Sequence, residues 1–71
     1  MQAKQPQVVN RMEHIYYIVR VHDIGEILDY EFSDLAKAQY LMSIERLECS
    51  LWECNRKTGT RLRLDARKAA S

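Results

Sequence analysis

The stretch "HIYYIVRVHD", residues 14 to 23, sets the tightest limit on what this chain can fold into. Side chains alternate across a strand, so Ile15, Tyr17, Val19 and Val21 share one face, and Tyr16, Ile18, Arg20 and His22 share the other. Both faces carry β-branched or aromatic groups, which suits a central strand rather than an edge. The chain has 71 residues, room for one core, and a chain of that size buries only about 60% of the surface its unfolded form exposes. Whatever surrounds this strand must be assembled economically.

The rest of the chain supplies the surroundings. "DIGE" offers turn chemistry, with Gly25 free to take a positive φ. "ILDYEF" then alternates Leu28, Tyr30 and Phe32 against Asp29 and Glu31, a strand with one wet side. "SDLAKAQYLMSIERLE" predicts a helix capped by Ser33, with Asp34 in its first turn and Leu35, Ala38, Leu41 and Met42 on one stripe. Tyr40, Ile44 and Leu47 widen that stripe beyond what one small sheet needs. "CSLWEC" reads as a third strand and "TRLRLD" as a fourth, with Leu62 and Leu64 inward and Arg61 and Arg63 outward. "NRKTG" is the loop between them, with Gly59 at its left-handed position.

The expected fold is therefore α+β: a single small β-β-α-β-β domain whose four-stranded antiparallel sheet has the order 2-1-3-4, with one helix on one face. A right-handed crossover through the helix runs strands two and three in the same direction, and strand one slots between them. Residues 1–11 are Gln-rich and read as a flexible arm, residues 12–66 as the domain, and residues 67–71 as a frayed tail. Met12 could serve as an internal start.

Charge is uneven along a chain whose formal net charge is only +1. Residues 23 to 53 hold eight acids against two bases, and residues 55 to 68 hold six bases against one acid. So small a net charge implies no general pull toward nucleic acid or an anionic membrane. No apolar run is long enough to span a bilayer, and the amino end does not read as a signal peptide. Cys49 and Cys54 are too few to staple a secreted domain, and their odd spacing puts them on opposite faces of a strand. Together these point to the cytoplasm. His14 and His22 lie too far apart to share a metal, and no tetrahedral set forms with the cysteines. No motif implies a cofactor, a small-molecule ligand or catalysis, and the chain is read as a non-enzyme.

Function is expected on the sheet face the helix leaves open. Either Leu51 or Trp52 must point there, and Tyr16 and Ile18 join whichever does. The expected role is protein–protein interaction, as an adaptor or inhibitor of the kind accessory proteins of phages and mobile elements provide. Self-association as a homodimer would use Tyr16, Ile18, Trp52 and Tyr40. The alternative is an accessory protein that grips nucleic acid with the basic hairpin and tail, using Arg56, Lys57, Arg61 and Arg63.

Overall fold

A computed structural model describes residues 14–70. Strand β1 (Ile15–Asp23) turns through Gly25 into β2 (Glu26–Phe32). Helix α1 (Leu35–Ile44) crosses to β3 (Glu48–Asn55), and a second hairpin leads to β4 (Arg61–Arg67). All strand pairs are antiparallel and the sheet order is β2-β1-β3-β4. This is the single β-β-α-β-β domain expected, with its helix on one face. The expected arm at 1–11 and the start at Met12 lie outside the described residues.

Register decides which side chains meet. Val19 sits between Tyr30 of β2 and Leu51 of β3, and Val21 between Leu28 and Cys49. Val19, Val21, Cys49 and Leu51 form the helix-side core with Ala38 and Met42, and Tyr17, Leu28, Phe32, Leu35, Leu41 and Leu47 pack around it. Leu51 therefore faces the helix and Trp52 faces away. The two tight turns place Gly25 at φ 73° and Gly59 at φ 75°, left-handed conformations that a side chain would strain.

The helix departs from its expected limits at both ends. Asp34, not Ser33, is the cap: its carboxylate accepts from the Ala36 N–H at 2.9 Å. At the other end the helix stops at Ile44 instead of running on to residue 48. There Glu45 turns to extended backbone, and its own carboxylate accepts the N–H groups of Arg46 and Leu47. Good helix formers lose to this local turn because β3 must begin at Glu48 to keep its register with His22.

The end of β4 also differs. Arg67 is the last residue of β4, beyond the expected strand "TRLRLD" that ends at Asp65, and pairs with Cys49. Its guanidinium reaches under the helix end and donates to the carbonyls of Glu45 and Leu47 and to the Cys49 sulfur. A cation here satisfies the carbonyl of the C-cap Glu45 and, past the helix, that of Leu47. Farther on, the Ala70 N–H donates to the Arg46 carbonyl at 2.8 Å.

The inward placement expected for Leu62 and Leu64 needs correction. Leu62 is on the helix side by its pairing with Glu53, yet it is 60% exposed, and Leu64 is 41% exposed. The helix packs on β1, β2 and β3, and no Cα of it comes within 8 Å of β4. Leu64 is the extra residue of a bulge opposite Leu51 and Trp52. Three strands use up the helix, and the fourth overhangs it.

Candidate functional site

The back of the sheet, away from the helix, carries Tyr16, Ile18, Arg20 and His22 from β1, with Ser50, Trp52 and Cys54 from β3. β2 adds Asp29 and Glu31, and β4 adds Arg61 and Arg63. Much of what the sequence offers there as bare apolar surface is already engaged. Ile18 is 8% exposed and Cys54 is buried. Arg56 extends from the second hairpin over β1, its guanidinium 4.1 Å from the Tyr16 ring centroid, and pairs with Glu31 on β2 at 3.0 Å. One arginine thus spans three strands.

A second arginine closes the middle of this face. Arg20 holds Asp29 in a two-point bridge, with N–O distances of 2.9 and 3.0 Å. The hydrogen bond from Arg20 pulls the Asp29 carboxyl below its ordinary range and raises the guanidinium in turn. Because the folded carboxyl has the lower pKa, this contribution is complete above the unfolded value and is lost as pH falls below about 4. Both side chains are about a third or more exposed, so solvent screening holds the effect to about 0.2–1 kcal/mol. We expect Asp29→Asn to lower stability by that amount at neutral pH, and the gap to narrow as pH falls below about 4, in urea melts of both proteins. An undiminished gap at pH 3 would mean that the loss is not electrostatic.

The remaining expected site residues are divided between surfaces. Tyr40 is 66% exposed, but it projects from the helix on the opposite side of the sheet from Tyr16, Ile18 and Trp52. The structure does not bring those four together. Lys57 lies in the β3–β4 loop, where the Asn55 side chain accepts the N–H groups of Lys57 and Thr58. Arg61 and Arg63 face the back beside Cys54 and Trp52. His14 and His22 lie at opposite ends of β1. Cys49 and Cys54 are both free and buried, on opposite faces as their spacing required. On the helix side, burial raises the Tyr17 phenol, and the charges of Glu53 and Asp34 add to the effect.

Two grooves flank β4. One of about 370 Å³ separates it from the helix, lined by Gln39, Met42, Ser43 and Asp65 together with Ala66 and Arg67. The other, of about 440 Å³, opens on the back, with Trp52, Ser50 and Arg63 among its walls. Sequence reasoning missed Ser50 as a partner of Trp52: the indole N–H donates to its hydroxyl at 2.9 Å. The spacing of two along one strand, which puts both on one face, was the available signal.

The fold and these surfaces define a small α+β domain with an overhanging edge strand and a cation-lined groove behind it. No family model matches the chain, and neither curated proteins nor solved structures yield a similar protein. No helix of the described residues is long and apolar enough to cross a membrane.

Proposed function

We propose that this chain is a small protein-interaction module that pairs with a second copy of itself through the overhang of β4. The observation that carries the reading is the exposure of Leu62 and Leu64 on a strand the helix does not reach. A pair of leucines left in water on an edge strand loses the burial that would otherwise stabilise it, about 1.5–3 kcal/mol for each side chain fully covered. Beside them lies the groove with Met42 in its wall. A projecting apolar rim next to a groove is self-complementary under two-fold symmetry, each copy's leucines seating in the other's groove.

The contact is placed on β4 and not on the back face because Arg56 and Arg20 already cover much of the latter. As an adaptor or inhibitor the paired chain would present its remaining surface to a further protein, and it catalyses nothing itself. Two free thiols held apart on opposite faces suit a reducing compartment such as the cytoplasm.

Light scattering across a concentration series tests the pairing. The parent chain is expected to approach the mass of two copies as concentration rises, and the double variant Leu62→Glu, Leu64→Glu to stay at the mass of one. A parent that remains monomeric up to the highest soluble concentration, or a variant that still doubles, would overturn the reading.

A further inference from the structure

The groove on the back of the sheet has walls from Arg20, His22, Ser50, Trp52, Arg63 and Lys68. Its chemistry is divided between one indole, one imidazole and several cations. Trp52 is half-buried, and its only hydrogen-bonding group is spent on the Ser50 hydroxyl. That bond fixes the indole and leaves it nothing to offer a ligand but its ring. Stacking on a ring face is available to every nucleic-acid base and needs no hydrogen-bond code.

The cations differ in whether they are already engaged. Arg20 is bound to Asp29, Arg56 to Glu31 and the Tyr16 ring, and Arg67 to the carbonyls at the helix end. Among the described residues, Arg63 and Lys68 have no carboxylate, carbonyl or ring partner. Arg63 is the cross-strand neighbour of Trp52 on the same face. Directly opposed side chains of paired strands start about 5 Å apart, so the Arg63 side chain leaves the sheet beside the ring. Glu48 is the one acid in the lining. An edge strand that needed only a charge to block aggregation would not require an oriented ring beside it.

We infer that this groove binds single-stranded nucleic acid, one base stacking on Trp52 while Arg63 and Lys68 hold flanking phosphates. The groove runs along β3 and β4 on the face opposite Leu62, so a bound strand leaves self-association untouched.

The chain has a single tryptophan, so its emission reports on this groove alone. The emission is titrated with a short oligothymidine, an oligouridine of equal length, thymidine monophosphate and an oligoglutamate peptide. The oligonucleotides are expected to quench it saturably, and two phosphate contacts weaken binding about sevenfold between about 50 and 200 mM salt. In anisotropy with labelled oligothymidine, Trp52→Ala and Arg63→Glu are each expected to lose about tenfold in affinity. Lys57→Glu, which makes the same change of charge on the hairpin outside the groove, is expected to stay within about twofold of the parent. Circular dichroism of each variant confirms folding, since Arg63 and Lys57 are both exposed. Four outcomes would overturn the inference: no quenching, no response to salt, equal binding of the monophosphate or peptide, or equal losses in Lys57→Glu and Arg63→Glu.

Discussion

Val19→Asp is expected to leave the chain without a cooperative folding transition. Val19 is 0% exposed, at the centre of β1, with Tyr30 on one side, Leu51 on the other and the helix above. A domain of this length has a total stability of about 4–10 kcal/mol, by the usual range per residue. A carboxylate at Val19 would find no cation among the core residues, and an unpaired buried charge costs several kcal/mol even after relaxation. Leu51→Ala provides the graded version. It removes packing without adding charge and should cost about 2–5 kcal/mol in urea unfolding followed by circular dichroism. Leu62→Ala, also on the helix side but beyond the helix, should change stability by no more than about 0.5 kcal/mol at concentrations where the chain is monomeric. Similar losses at Leu51 and Leu62 would contradict the overhang.

Arg67→Ala carries the next largest expected effect. Its guanidinium ties the end of β4 to the Glu45 and Leu47 carbonyls where the helix stops. Hydrogen bonds from a charged donor contribute about 1.5–3 kcal/mol, but the buried Arg67 Nε has no partner, which offsets part of that gain. The net loss is expected to be about 2 kcal/mol, which in a domain of this size lowers Tm by about 8–16 °C. Arg67→Lys should recover only part of this, because all three contacts are made by the one terminal nitrogen Nη2 and a lysine ammonium ends about one bond short of it. Arg63→Ala, exposed on the same strand, is the control and should leave Tm within a few degrees. An unchanged Tm in Arg67→Ala would show that the helix end needs no donor from β4.

The contrast between Arg67 and Arg63 shows how much of the site was legible before the structure. Both sit in β4, yet the sequence reads Arg63 as part of the fourth strand and Arg67 as the start of a frayed tail. Alternation correctly put Arg61 and Arg63 on the back and Leu62 toward the helix, since parity follows from the pleat alone. What it could not give is the reach of the helix across the sheet. That reach depends on how many strands a ten-residue helix can cover, which is a question of packing width and not of periodicity. Tyr16 shows the same limit from the other side. Its face was readable, but the Arg56 that covers it lies forty residues away in the chain.

The order of elements, the sheet order and the centrality of β1 were settled by the sequence alone. Those follow from local alternation, two glycine turns and the handedness of one crossover, all of which act over short stretches of chain. Tertiary structure alone decided that Leu51 and not Trp52 enters the core, that the helix ends at Ile44, and that β4 overhangs it. It also decided which arginines are engaged and which stay free. The physical reason is common to all of these. Each is the outcome of a competition between groups distant in sequence for the same neighbour, and only the assembled sheet brings those competitors within reach of one another.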